Sequence, residues 1–375
     1  MESDAVVVPM APRMPQEIID EILDYLETDF RSLESCSLVS KSWVTSCRRH
    51  LFHAIIFTWT TIPRWVEVFP VPEESPAHHV RDLRFSIRCF FKIPEGFSEH
   101  VPWFTNVEKV TWSGEMGLRR LYQMLSLGRL SQSVTSLSLA WDEEALLQIR
   151  DILLLFPNLS NLKLVGSFAG SRPQGIGTVL SGRLCGRLQL FTFEKDHRSD
   201  VVEMLLEAPA GLHFTEVEIR SCYECLLSTV ALVEACGETL VKFSYTVENH
   251  CKSLIYLCQK NADSDTILAS GDPETFEQSF DFMKLPNLKE AEFILGWTSG
   301  GLHWIPVALS TIKPTTSSRL SVVQVVIRNR SSWHVIMVSR ERLADDIQLI
   351  NGEVSRIEQE FENTMDLTVE LPPGF

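Results

Sequence analysis

The chain has 375 residues, enough for two ordinary domains or for a small module joined to an elongated one. Its 45% hydrophobic and 22% charged residues are those of a folded soluble protein, not a disordered one. The 34 Lys plus Arg against 49 Asp plus Glu give a net charge of −15, which argues against a nucleic-acid binder and leaves room for a partner with a basic surface.

At the N-terminus, "MESDAVVVPMAPRMP" has no basic stretch, and Pro9 breaks its apolar run, so it reads as a poor signal peptide. "MPQEIIDEILDYL" follows, with Pro15 suited to a first helical turn and Glu17, Asp20 and Glu21 favourable to the helix dipole. Ile18, Ile19, Ile22, Leu23 and Leu26 recur at three- and four-residue spacing, which predicts an amphipathic helix. Asp29 is placed to cap a second helix carrying Phe30, Leu33 and Leu38. Ser40 is placed to cap a third, carrying Trp43, Val44, Cys47 and Leu51. Three such helices make a core too small to be comfortable alone, and a unit of this size usually needs a partner.

The segment from Met14-Pro15 through Glu17-Ile18-Ile19, Ile22-Leu23, Leu26 and Leu33 to "SLVSKSW" and "RRHLF" resembles an F-box. The distance from the opening Pro15 to Trp43 is the specific part. The F-box is the module by which substrate receptors attach to the Skp-type adaptor of cullin–RING ubiquitin ligases. The resemblance implies a module over 11–57 that grips such an adaptor, and through it a cullin. The implied adaptor-binding set is Met14, Pro15, Ile18, Ile22, Leu23, Leu33, Val39 and Trp43, with Leu33 and Trp43 partly devoted to holding the helices together.

Beyond a linker expected at 58–77, an apolar-x-x-apolar-x-apolar unit recurs, as in Val80-Leu83-Phe85, Val107-Val110-Trp112, Leu159-Leu162-Leu164 and Leu188-Phe191-Phe193. Its central positions are 83, 110, 137, 162, 191, 217, 243, 291 and 323, and most intervals fall between 25 and 29 residues, the period of a leucine-rich repeat. Helical patterns such as "GLRRLYQML" and "DVVEMLLEA" lie between the strands, so the alternation predicts parallel strands and crossovers. The expected fold is α/β: a three-helix module followed by an irregular leucine-rich-repeat-like solenoid over 78–371. A polar insertion is expected near 258–278, and a helix–strand pair should close the far end. The Asn that ideal repeats carry after the last leucine is missing. This region resembles the divergent repeats of the large orphan class of F-box proteins common in fungi.

No catalytic motif occurs, and neither a cofactor nor a metal is expected. Cys222 and Cys225 form a lone C-x-x-C without a second pair at zinc spacing. A metal or thiol protein using the Cys222–Cys258 region is the alternative from a different class. The nine scattered cysteines suit reduced thiols, so a cytoplasmic or nuclear protein with no membrane span is expected. The leading expectation is a non-enzymatic subunit that presents a protein substrate, with an adaptor-bound scaffold as its variant. Strand alternation turns polar residues outward, and among them Glu194, Glu216, Glu218, Arg220, Lys242, Glu290 and Glu292 are the candidate substrate-binding residues.

Overall fold

The computed structural model describes residues 14–87, 94, 96–113, 118–125, 130–141, 146–166, 184–192, 198–208, 210–221, 226–247, 281–296, 304–315, 317, 319–328, 340–361 and 365–370. Three helices come first: α1 (Gln16–Tyr25), α2 (Phe30–Ser37) and α3 (Lys41–Leu51). Among the described residues eleven parallel strands follow in one sheet whose spatial order is the sequence order. They are β1 (Ala54–Thr58), β2 (Asp82–Ser86), β3 (Lys109–Ser113), β4 (Ser136–Trp141), β5 (Asn161–Gly166) and β6 (Leu184–Thr192). The remaining strands are β7 (Leu212–Ser221), β8 (Lys242–Val247), β9 (Glu290–Gly296), β10 (Val322–Arg328) and β11 (Asp366–Glu370). The helices of the array include α4 (Thr61–Val68), α5 (Phe97–His100), α6 (Leu118–Leu125), α7 (Leu130–Ser133), α8 (Leu146–Leu154), α9 (Arg198–Leu206), α10 (Leu226–Ala235), α11 (Trp304–Ser310) and α12 (Arg340–Glu360). This is the α/β solenoid-like arrangement that the repeat spacing predicts.

Two apolar rows run across the sheet in register. One is Leu83, Val110, Leu137, Leu162, Leu188, Val217, Phe243, Ala291 and Val323; the other is Phe85, Trp112, Leu139, Leu164, Leu190, Ile219, Tyr245, Phe293 and Val325. All are buried, in one core with helix residues such as Leu121, Ile149, Leu205, Leu232 and Ile350. Burial of each large aliphatic or aromatic side chain is worth about 1.5–3 kcal/mol, and no single repeat has the surface to bury its own. The stack is therefore the folding unit.

Backbone and side chain both tie each repeat to the one before. Two successive amides share one carbonyl of the preceding repeat: Arg81 and Asp82 donate to His53 O, Glu108 and Lys109 to Arg81 O, Thr135 and Ser136 to Glu108 O. An asparagine just ahead of a strand repeats the device. Asn106, Asn158 and Asn287 donate from Nδ2 to the carbonyls of His78, Gln132 and Glu238, at 2.7, 2.9 and 2.6 Å. The asparagine ladder thus exists, but before the strand and not after it.

The structure differs from the sequence reading in two places. The expected linker 58–77 is folded: α4 buries Ile62 and Trp65, and Ala77 is buried beyond it. Its stripe of Ile62, Trp65, Val66 and Phe69 needs a core to bury it, and β1 supplies the edge of that core by pairing with β2 from Ala54 to Thr58. The sheet therefore starts within the residues assigned to the module. On β6 the inward pair is Leu188 and Leu190, and Phe191 faces outward. A register shift between Gly186 and Arg187 sets that phase, which reading Leu188-Phe191-Phe193 as one unit misses. β8 pairs directly with β9; most of the long interval between them, with the insertion expected at 258–278, lies outside the described residues.

The open edge at β1 is blunted. Thr61 Oγ1 accepts from Thr58 N at 2.7 Å and donates to Ile56 O at 3.1 Å, occupying groups that would otherwise template another strand.

Gly186 has φ +82°, and a Cβ there would overlap the Ser160 carbonyl. Gly186→Ala is expected to cost more than ~2 kcal/mol, since left-handed strain adds to a backbone clash. A lower denaturant midpoint with an unchanged slope is the expected result.

Candidate functional site

Helix α1 carries two apolar stripes. Ile19 and Leu23, with Leu26 partly exposed, face Leu33, Cys47, Cys36, Trp43 and Leu51 in a small separate core. Met14, Ile18, Ile22 and Tyr25, at helical spacing, stay exposed, as do Phe30, Leu38 and Val39; Leu38 is 86% and Tyr25 89% accessible. So many exposed large apolar groups on about 40 residues mark a surface built to be covered by protein.

Of the implied adaptor-binding residues, Met14, Pro15, Ile18, Ile22 and Val39 are at the surface. Leu23 and Leu33 are fully buried and Trp43 is half-buried in the module's core, so these three support the surface from within. Tyr25, Phe30 and Leu38 complete the exposed set. Their signal in the sequence was apolar residues left over once one helical stripe had been assigned to the core.

Polar contacts lock the three helices. Ser46 Oγ donates to Asp20 Oδ1 at 2.5 Å and Gln16 Nε2 to the same oxygen at 3.0 Å, which holds the Asp20 carboxyl below its ordinary range. Asp24 meets Arg49 at 2.8 Å and His50 at 3.0 Å on α3. Asp29 caps α2 through Ser32 N at 3.2 Å. Ser40 stands at the N-cap of α3 but makes no capping bond; its hydroxyl lies 2.8 Å from that of Ser42.

The module joins the sheet without slack, since only Phe52 and His53 separate α3 from β1. The Phe52 ring packs edge-on to Trp65 and Phe69, with centroids 6.3 and 6.4 Å away. Trp65 in turn sits 5.4 Å from Phe57, which touches Phe97 at 4.9 Å and Phe85 at 5.7 Å. Inside this cluster Trp65 Nε1 donates to His100 Nδ1 at 3.3 Å, which places the remaining imidazole proton on Nε2.

The outward face of the sheet is polar and polarised. One row reads Arg84, Thr111, Ser138, Lys163, Gln189, Glu218, Ser244 and Glu292; its neighbour reads Asp82, Lys109, Ser136, Asn161, Arg187, Glu216, Lys242 and Glu290. Acids and bases on β6–β9 are paired, across strands or, for Glu218 and Arg220, along β7. Glu218 meets Arg187 at 3.0 Å and Arg220 at 2.7 Å, Lys242 bonds Glu290, and Ser244 donates to Glu292 at 2.7 Å. Burial would raise the Glu218 carboxyl, but hydrogen bonds from Gln189, Arg187 and Arg220 outweigh it and hold the group below its usual range. Thus Glu216, Glu218, Arg220, Lys242 and Glu292 line one concavity and Glu290 is tied to it through Lys242, while Glu194 lies outside the described residues.

The chain thus joins a helical module that shows apolar side chains to solvent to a stacked sheet with one polar face. Residues 11–58 match the F-box-like family model, so the chain carries an F-box-like domain. Comparison with curated proteins gives no match. The F-box supports a role as an adaptor in an SCF-type ubiquitin ligase, and F-box proteins are generally non-catalytic substrate receptors.

Cys222, Cys225, Cys251 and Cys258 lie outside the described residues. Among the described residues no group of three or more His, Cys, Asp or Glu is placed to hold a metal ion, and no helix is long and apolar enough to cross a membrane. Cys236 is buried, which pushes its thiol up to about 12 and leaves it protonated at neutral pH.

Burial lowers His100, and His79 is pushed down to about 4 by burial and by the nearby charges of His78, Arg48 and Arg49. Both imidazoles bind fewer protons folded than unfolded. The stability this gives is present above histidine's ordinary value and is lost as the pH falls through and below it. The denaturant midpoint should drop between pH 7.5 and pH 5, and less so in a His79→Gln/His100→Gln variant. An equal drop in both proteins would assign the acid sensitivity elsewhere.

Proposed function

We propose that this protein is the substrate-recruiting subunit of a cullin–RING ubiquitin ligase, docking on a Skp-type adaptor through its F-box and holding a protein substrate on the outward strand face. The observation that carries the first half is the exposed stripe of Met14, Ile18, Ile22 and Tyr25 on a helix whose opposite stripe already fills the module's core. A self-sufficient helix of this length would put polar residues there.

The second half is supported by a broad, regular, polar face on a sheet that begins two residues after the module's last helix. The protein then contributes position. A ligase subunit raises the local concentration of the substrate at another protein's active site, and effective molarity rewards a holder whose two ends do not wander. Glu216, Glu218, Arg220, Lys242, Glu290 and Glu292 belong to this reading as part of the holding face, and several of the acids already neutralise cations beside them.

Exposed and buried leucines separate contact from support. Ile18→Ala with Leu38→Ala should leave the helical content and melting curve intact. It should weaken capture of the purified adaptor by ~2–4 kcal/mol, on the order of 30- to 1000-fold. Leu23→Ala removes a fully buried side chain and should cost ~2–5 kcal/mol of stability, melting so small a core. Undiminished adaptor capture by a folded Ile18→Ala/Leu38→Ala chain would refute the docking assignment.

A further inference from the structure

The outward face is not uniform, and its first half differs from the patch just described. A concavity of about 460 Å³ over β2–β6 is lined by Arg84, Lys109, Lys163 and Arg187, together with Thr111, Ser136, Ser138, Asn161 and Gln189, and by no carboxylate. The adjoining concavity over β6–β9 contains acids and bases in mutual pairs. Arg187, at its edge, is paired with Glu216 and Glu218 of the next patch, and the other three cations have only the Asp82 carboxylate near them, so on a chain of net charge −15 this concavity carries a local positive excess. Lys163 marks it best: its ammonium lies 4.8 Å from the centre of the Phe191 ring, and no carboxylate within ion-pair distance is found for it among the described residues. Lys109 reaches Asp82 only at 3.4 Å, and that carboxylate is shared with Arg84.

From this charge complementarity we propose that the β2–β6 face docks an extended, Asp/Glu-rich segment of the recruited protein. The proposal deepens the substrate-holding reading and rests on it. Spacing decides between carboxylates and a single phosphate. Strands lie ~4.8 Å apart, so cations on β2, β3, β5 and β6 are spread over roughly 19 Å. A phosphate needs several donors converging on one point, whereas a run of carboxylates on about six extended residues matches a spread of this length. The hydroxyls and amide between the two cationic pairs, on Thr111, Ser136, Ser138 and Asn161, can donate to carboxylates or to peptide carbonyls along the way.

The test is fluorescence anisotropy at low salt, with the full-length chain and a labelled Glu-Gly repeat peptide. A Gln-Gly repeat and a Ser-Gly repeat bearing one phosphoserine complete the probes. The Glu-Gly peptide should bind and weaken as salt rises, and the Gln-Gly peptide should not bind. Lys109→Ser with Lys163→Ser should weaken binding about tenfold, while Lys313→Ser, the same kind of charge loss away from this face, should leave it unchanged. Lys163→Ser alone serves should the double variant unfold. No binding of the Glu-Gly peptide, equal weakening by Lys313→Ser, or binding of the phosphoserine peptide alone would each overturn the proposal. Adaptor capture measured on the same variants keeps the two readings apart. Its failure in the intact chain would defeat the F-box reading, while lost peptide binding alone would defeat this one.

Discussion

A parallel strand cannot bury its inward side chains without a neighbour on either side, and a stack of such strands must begin somewhere. In this protein it begins at Phe57. Its ring lies against Trp65, Phe97, Phe85 and Phe104, at 5.4, 4.9, 5.7 and 5.9 Å between centroids. This aromatic cluster stands where the first strand has no preceding repeat to lean on. Helix α4 covers the same end, and Thr61 occupies the backbone groups of the open edge. Every later repeat inherits its register from this start through shared carbonyls and the two buried rows.

The same cluster receives the F-box. Because Phe52 packs on Trp65 and Phe69, the helix that closes the module and the strand that opens the sheet meet at one packed joint. The segment between the protein's two ends is therefore folded and packed on both of them. An adaptor seated on the exposed stripe of α1 and a segment lying on the strand face would be held at a constant offset. The buried imidazole of His100 fits this picture, since a joint sealed from water keeps its polar groups neutral and mutually bonded.

Much of this was legible in the sequence, and the losses have physical causes. The repeat period located nine of the eleven strands, because inward pairs such as Leu162 and Leu164 keep one spacing wherever a strand meets two neighbours. β1 escaped because Ile55 and Phe57, which continue the inward spacing of Leu83 and Phe85, fall in the segment assigned to the helical module. Its Ala54, Ile56 and Thr58 look outward and break no pattern. Strand β6 was read out of phase because its apolar run Leu188, Leu190, Phe191 and Phe193 fits two alternations, and only the bulge at Gly186 selects one. In the F-box, the spacing of Pro15, Ile18 and Trp43 identified the module, but helical periodicity does not say which of two apolar stripes stays outside. That was settled by packing, which put Leu23 and Leu33 inside and left Tyr25, Phe30 and Leu38 out. The charge pattern across strands was least legible. Pairs such as Lys242 with Glu290 are 48 residues apart, and they become neighbours only once the register is known.

Amide hydrogen exchange across residues 52–69 tests the central claim most directly, because a packed joint and a linker differ most in how often their backbone opens. If the module enters the sheet as one body, the amides of Phe57 and of α4 should exchange as slowly as those of β4 and β5 in the middle of the stack. Exchange of 58–69 near the rate of an unstructured peptide, with β4 and β5 still protected, would contradict a rigid joint and return the segment to the role of a linker.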